Sequence, residues 1–549
     1  MSPDDSFFAH GRERAAAVPG GSPSVLYPAS EKLSRRERLV FYNYLISALV
    51  LYLGLMALGL TMRMSQATWA GVGPQLFYEL LTMHGTGMVG TTAMVTLAVM
   101  WFFLRKYVHL HLWAFLTTYL MFLAGSLAII VSIFVMGYAG MWTFLYPLPV
   151  HSEDVWPASA AALFFIGYLI IGIGFLLFFL DASAGILRKY GNFARAMGWQ
   201  WLFGGKVDEK LPVAVVASTM VIISDSIGIL AGSVALVMCL VNAYIPSVVL
   251  NALLVKELTY WFGHMFINAT IFMGAIAIFE LLPRYTHKPF RINRIYLWAW
   301  AVSLIAVIVV FPHHLLMDYA QPQWMEIMGQ VASYVEGLPV FLETAYFVLT
   351  QIYRSQIRWT MAPRLIVLSV FGWAAGIVPA IMDGTIVVNK MMHNTQWVDG
   401  HFHFYLILGV LPMAFATMYH VVGSRERSPR DHWSDKLSIP LYLLGGLIFT
   451  LAFLDAGDHS VPRRYAIHIA QWLPYDKAGS IGAMLIILGM LLFALRITLG
   501  LLKPPTLALG EAAQTLESPR DAAVAGAVTS ADAVALEVPA NADVAHLAG

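Results

Sequence analysis

Long apolar runs, separated by short polar connectors, dominate this chain. A helix needs about 20 apolar residues to cross the hydrocarbon core of a bilayer. Twelve runs approach or exceed that length: roughly 40–62, 76–104, 112–137, 159–181, 212–242, 256–282, 294–312, 324–352, 362–384, 399–422, 438–455 and 480–502. The fifth carries an acid, Asp225, which blurs its limits. No short repeat is evident. The pattern predicts an all-α integral membrane protein, a twelve-helix transmembrane bundle over residues 39–502. Residues 1–38 are polar and Arg-rich and read as a cytoplasmic N-terminal segment without a signal peptide. Residues 503–549 are rich in Ala, Pro and Glu, lack a periodic apolar face, and read as a disordered tail.

The connectors alternate in charge. Arg35, Arg36 and Arg38, then Arg105-Lys106, then Arg188, Lys189, Arg195, Lys206 and Lys210 fall on every second connector. The series continues through Arg284–Arg294, Arg354–Arg364 and Arg425–Lys436, while 138–158 has no Lys or Arg. By the positive-inside rule both termini are cytoplasmic, in a cell's inner membrane. Only 12% of residues are charged, against about 25% in soluble domains. A net charge of +1 argues against nucleic acid as a partner. The single cysteine, Cys239, excludes a disulfide framework, a CxxC pair and an iron–sulfur cluster.

Histidines carry the candidate chemistry. His401 and His403, in Trp397-Val-Asp-Gly-His-Phe-His-Phe-Tyr405, open the tenth run. Positions i and i+2 of a helix point about 200° apart, so these two rings serve two centres rather than chelating one ion. The alternating topology puts His84, His264, His401 and His403 in the outer part of runs that descend from outside. His313-His314, after Pro312, end the seventh run at the same depth. An ionisable group inside a membrane span is a functional-site hypothesis by default. Histidine ligates transition metals and haem iron. The economical partition is one bis-His haem, one mono-His haem and one tris-His metal.

These residues resemble the haem-copper oxidase superfamily, as its catalytic subunit I, over about 40–502. The resemblance rests on Trp261-Phe-Gly-His264, His313-His314, His401-Phe-His403, His84 and Pro462-Arg463-Arg464-Tyr465, in order and spacing. Val388-Asn-Lys-Met-Met-His-Asn-Thr-Gln-Trp397 is most similar to the B-type branch. The resemblance implies that His84 and His403 ligate a low-spin haem and His401 a high-spin haem. It implies that His264, His313 and His314 hold the second metal, and that Arg463, Arg464 and His393 contact haem propionates. Axial histidines accept b- and a-type haem alike. Three histidines without a nearby carboxylate suit copper better than iron as the second metal.

The chain departs from that family around the helix 6 histidine, where Met265 also replaces the proline of the oxidase His-Pro pair. Typical oxidases have a tyrosine four residues after the helix 6 histidine, joined covalently to a metal-ligating His; here that residue is Asn268. Ser303–Phe311, where the C-type branch supplies its tyrosine, has none, and Tyr319 lies beyond the His pair. Full cleavage of O₂ takes four electrons at once: two from the haem iron, one from the second metal and one from the tyrosine. Coupling two NO to N₂O and water takes two, one from each metal. The chain therefore resembles the nitric oxide reductases related to B-type oxidases, enzymes of denitrification; the alternative is a terminal oxidase that finds its fourth electron elsewhere. No CuA motif or haem c site is present, so a second subunit bearing one, or a soluble cytochrome, would supply electrons to this gas-consuming site. Glu336 and Glu343, seven apart on one face, are expected to relay protons, with Glu336 nearer the metals or donating a ligand. Aligning Pro339 with a B-type proline puts Glu343 in that branch's proton channel.

Overall fold

The computed structural model describes residues 31–143, 145–205, 211–425 and 432–503. The disordered-tail reading and most of the N-terminal segment lie outside these residues. Twelve long helices follow one another: α1 (Arg35–Gln66), α2 (Pro74–Leu104), α3 (Leu112–Phe134), α4 (Ala158–Tyr190), α5 (Val213–Tyr244) and α6 (Ala252–Thr286). Then come α7 (Arg294–Val309), α8 (Gln323–Ile352), α9 (Met361–Asp383), α10 (Trp397–Gly423, in three pieces), α11 (Trp433–Asp458) and α12 (Leu473–Leu502). Eleven are long and apolar enough to cross a membrane. The twelfth, α8, is 30 residues long but more polar.

Several helices outrun their apolar stretches. α1 begins at Arg35 because Ser34 and Glu37 form a capping box that satisfies two otherwise orphaned amides. α4 continues to Tyr190 and α12 starts at Leu473. An apolar run measures the part of a helix that meets hydrocarbon; the hydrogen-bond ladder continues past it into the headgroup region.

Neighbours in sequence pack as antiparallel pairs, α1 on α2, α3 on α4, α5 on α6 and α11 on α12, and α12 returns to α1 to close the bundle. The basic connectors thus gather at one end, the basic face, and the histidines lie toward the other. Two irregular helices shape the site. α7 gives way to a 3₁₀ turn, Phe311–Leu315, where Pro312 has no amide to extend an α ladder. α10 runs α from Trp397 to His403, π from Phe404 to Val410, and α from Leu411 to Gly423. Widened turns of this kind recur at functional sites. Gly372 of α9 lets that π segment approach: a Cβ there would sit 2.2 Å from the Leu408 carbonyl carbon.

The end of the N-terminal segment is not free. Glu31 is buried at the basic face, 3.3 Å from Lys106, 2.5 Å from Arg284 and 3.0 Å from His420 Nε2. Lys106 also meets Glu280 at 2.6 Å, and Tyr107 donates to Glu280 at 2.9 Å. Burial pushes the Glu31 pKa up. The hydrogen bond from His420 and the charges of His420, Arg284 and Lys106 outweigh that, holding the carboxyl well below its usual range.

Candidate functional site

His84 on α2 and His403 on α10 face each other. Their ring centres are 6.4 Å apart and their planes 23° from parallel. Each ring is held by Nδ1 against a backbone carbonyl, His84 to Leu55 at 2.8 Å and His403 to Asp399 at 2.6 Å. An Nδ1–H that donates to a carbonyl leaves Nε2 as a bare lone pair for a metal. Two metal–nitrogen bonds of about 2.0 Å plus roughly 1.1 Å from each nitrogen to its ring centre span about 6.2 Å. The observed gap therefore fits one iron between two imidazoles. Gly59 of α1 makes room: a Cβ there would lie 2.7 Å from the His84 ring. The Asp399 carbonyl thus orients His403.

His401 points away from this pair. Its Nδ1 has no hydrogen-bond partner and lies 3.6 Å from Asp383 Oδ2.

His264, His313 and His314 form a third group, with one nitrogen of each within 4.8 Å of the others. His264 Nδ1 is 3.1 Å from His314 Nε2. Two ligands about 2.0 Å from a tetrahedral ion lie about 3.3 Å apart, so this spacing suits a shared metal. The 3₁₀ turn brings the adjacent His313 and His314 to one side. His313 Nδ1 is fixed by Ser333 Oγ at 2.7 Å, which turns its Nε2 the other way.

The outward nitrogen of His264 meets α8. Its Nε2 is 3.1 Å from Glu336 Oε1 and 2.9 Å from Asn268 Nδ2, which also donates to the His264 carbonyl at 3.1 Å. The sequence offered two expectations, a trio without a nearby carboxylate and a Glu336 close to it; the structure corrects the first, because Glu336 reaches His264. Nε2 can donate to Glu336 or accept from Asn268, not both. In the tautomer that donates to Glu336, Asn268 Nδ2 serves only the His264 carbonyl and Nδ1 is left for a metal, a carboxylate–histidine arrangement of the kind that orients metal ligands. In this geometry the Glu336 carboxylate faces the outward nitrogen of His264. Glu343, two turns along, is buried with Oε2 unpartnered, and it lies away from the trio.

One cavity of about 440 Å³ joins the three groups. Its lining includes all six histidines, Asn268, Glu336, His393, Arg463 and Arg464. The loop bearing the arginines is tied down: Arg463 N donates to Asn394 O at 3.0 Å and Gln396 N to Val461 O at 2.9 Å. Neither arginine has a carboxylate within ion-pair distance among the described residues, so both can meet anionic groups in the cavity. Burial, then the charges of Arg463 and Arg464, pushes the His393 pKa down to about 3, so this ring is neutral at ordinary pH.

The structure adds residues that sequence reasoning passed over. Tyr260 stacks on His314, ring centres 5.0 Å apart and planes 14° from parallel, and lines the cavity. It lies one turn before His264, a spacing that could have flagged it. Ser333 lies three residues before Glu336 and was legible the same way. Asp383 was not legible, since only the α9–α10 packing brings it to His401. Tyr319 is fully exposed.

Comparison with known proteins bears on the family and the fold. A family model described as cytochrome c and quinol oxidase polypeptide I matches residues 40–501. The cytochrome c oxidase subunit 1 of Thermostichus vulcanus is 22% identical over 483 residues, 84% of this chain and 83% of that protein. The cytochrome c oxidase subunit 1 of Bacillus subtilis is 25% identical over 435 residues, 75% of this chain and 65% of that protein. The heme-copper oxidase subunit I+III of Aeropyrum pernix is 22% identical over 378 residues, 67% of this chain but 44% of that longer protein. A cryo-EM structure of a heme-copper terminal oxidase dimer matches with a TM-score of 0.72 at 19% identity, covering 86% of this chain and 85% of the other. At that identity the likeness establishes the fold.

Proposed function

We propose a function from one premise: the chain belongs to the cytochrome c and quinol oxidase polypeptide I family, a family of multi-pass membrane oxidoreductases. Within it, the reading the site supports best is a nitric oxide reductase that converts two NO to N₂O and water, consuming two electrons and two protons. The observation that carries this reading is the environment of His264. Where a typical oxidase joins a tyrosine to a metal ligand, this chain offers an amide and a carboxylate, Asn268 and Glu336, neither of which can yield an electron.

In this reading His84 and His403 hold the low-spin haem, His401 the high-spin haem, and His264, His313 and His314 the second metal. Arg463 and Arg464, with His393 beside them, neutralise the propionates. When bound, the haem iron and the second metal would supply the two electrons, one each. Glu336 holds His264 in register and stands at the cavity wall, where it can pass a proton inward. Glu343 stands two turns further along α8 as the preceding proton site. The second metal is copper, because Glu336 meets the outward nitrogen and leaves three imidazoles toward the gap; a metal analysis returning iron in its place overturns that part. Electrons come from a second subunit carrying CuA or haem c, or from a soluble cytochrome.

A second reading, a terminal oxidase, is favoured by the relatives named cytochrome c oxidase subunit 1 and by Tyr260 against His314. Anaerobic turnover of the reduced complex with NO, followed by O₂, separates the two. One N₂O per two NO with slow O₂ uptake is the expected result. Rapid four-electron O₂ reduction without N₂O, lost in Tyr260→Phe, establishes the oxidase instead.

A further inference from the structure

Asp225 lies in the middle of α5, fully buried, and neither of its carboxylate oxygens has a hydrogen-bond partner. A carboxyl group inside a membrane span is costly and is retained where it pairs, meets water or carries a proton.

The same face of α5 shows this signature twice. Ser218, seven residues earlier and about 10 Å nearer the basic face, is also fully buried with an unpartnered hydroxyl. The hydroxyls beside these two residues behave differently: Thr219 donates to the Val215 carbonyl and Ser224 to the Met220 carbonyl, the usual satisfaction inside a helix. In the other direction, Ile229 lies one turn beyond Asp225 and lines the central cavity together with Phe262 and Phe266 of α6. The polar residues of α6 at this depth are committed elsewhere, Asn268 to His264 and Thr270 to the Phe266 carbonyl. Two orphaned polar groups thus lead along α5 from the basic face to the cavity wall, on a helix remote from Glu336 and Glu343.

We propose that Asp225 is a proton-binding site on a route along α5, with Ser218 as the step before it and the cavity at Ile229 as its outlet. Asp225 rests as the neutral acid. It gives its proton to water on the cavity side and is reprotonated by way of Ser218; only O–H bonds form and break, and no electron moves. The proposal needs only that turnover consumes protons, which holds for NO and for O₂ reduction, so it stands or falls separately from the choice between them.

The test is proton uptake by the haem-loaded, fully reduced complex, followed with a pH indicator in weak buffer after mixing with NO and, separately, with O₂. Asp225→Asn is expected to slow uptake by roughly a hundredfold, with the haem content and optical spectrum of the parent. Asp225→Glu is expected to restore most of the rate. The infrared difference spectrum of the parent is expected to contain a protonated-carboxyl band that shifts in D₂O and is missing in Asp225→Asn. Uptake at the parent rate in Asp225→Asn overturns the proposal. Should that variant fail to assemble, Ser218→Ala decides: slowed uptake supports the route, and the parent rate overturns it.

Discussion

The histidine layer and the basic-face cluster are both buried, and both crowd ionisable side chains into an apolar bundle. They differ in where their polar atoms point. In the cluster, Glu31, Lys106, Glu280, Arg284 and His420 pair with one another at 2.5–3.4 Å. That mutual satisfaction needs nothing from outside and ties the N-terminal segment to α2, α6 and α10. In the histidine layer the side chains are held from behind, by carbonyls, Ser333 and Glu336, while the opposite nitrogens and two arginines face a shared cavity. A closed polar network serves the fold. A network closed at the back and open at the front serves a ligand. Asp225, buried with neither oxygen partnered, is unlike the closed network of the basic face.

The sharpest attack on this division removes a front-facing nitrogen. His403→Ala is expected to abolish the bis-imidazole haem spectrum and bring turnover below about 1% of the parent, while the bundle remains folded by circular dichroism. Retention of that spectrum would mean that another residue holds the low-spin haem. Gly59→Val attacks the same centre without touching a ligand. A branched side chain there collides with the His84 ring, so low-spin haem content is expected to fall severely, as read from pyridine haemochrome and optical spectra.

A smaller effect is expected from the supports. Glu336→Gln keeps a hydrogen-bond acceptor at His264 but removes the charge, and is expected to lower second-metal occupancy or turnover about 10–100-fold, measured by elemental analysis beside NO consumption. Unchanged occupancy and rate would reduce Glu336 to a bystander. Glu343→Gln, further from the metals, is expected to slow turnover roughly tenfold with both haems in place; an intact rate would remove Glu343 from proton supply.

The smallest effect on chemistry is expected at the basic face. Glu31→Ala leaves Lys106, Arg284 and His420 without their shared anion and is expected to cost about 3 kcal/mol of stability. Turnover below the melting temperature should be unchanged. The sign in pH follows from the lowered carboxyl pKa: the stabilisation from Glu31 is full above its unfolded value of about 4.5 and fades as pH falls below it. The variant should therefore lose the part of the parent's acid sensitivity that lies below this value, as read by thermal melts from pH 5 down to pH 2. Loss of turnover with haems intact would show that the two regions are not functionally separate.

Hydrophobic length by itself determined the membrane class and eleven of the twelve long helices, the more polar α8 excepted, because a bilayer admits few ways to satisfy a backbone. The i, i+2 spacing of His401 and His403 by itself sent their rings to different sides of α10, since helix geometry sets side-chain direction without any tertiary contact. Asn268 was legible as a departure, one turn from His264. The sequence could place Glu336 near the metals but not say which atom it meets. Only the packing of α8 against α6 brought its carboxylate to the outward nitrogen of His264 and revised the expectation of a carboxylate-free trio. The stacking of Tyr260 on His314 likewise depended on a 3₁₀ turn rather than on spacing alone. The clustering of Glu31 with residues of α2, α6 and α10 had no local signal at all. Periodicity reports which face of one helix is apolar; which polar atoms meet across helices is set by crossing angles, glycine contacts and irregular turns, and these exist only once the bundle has assembled.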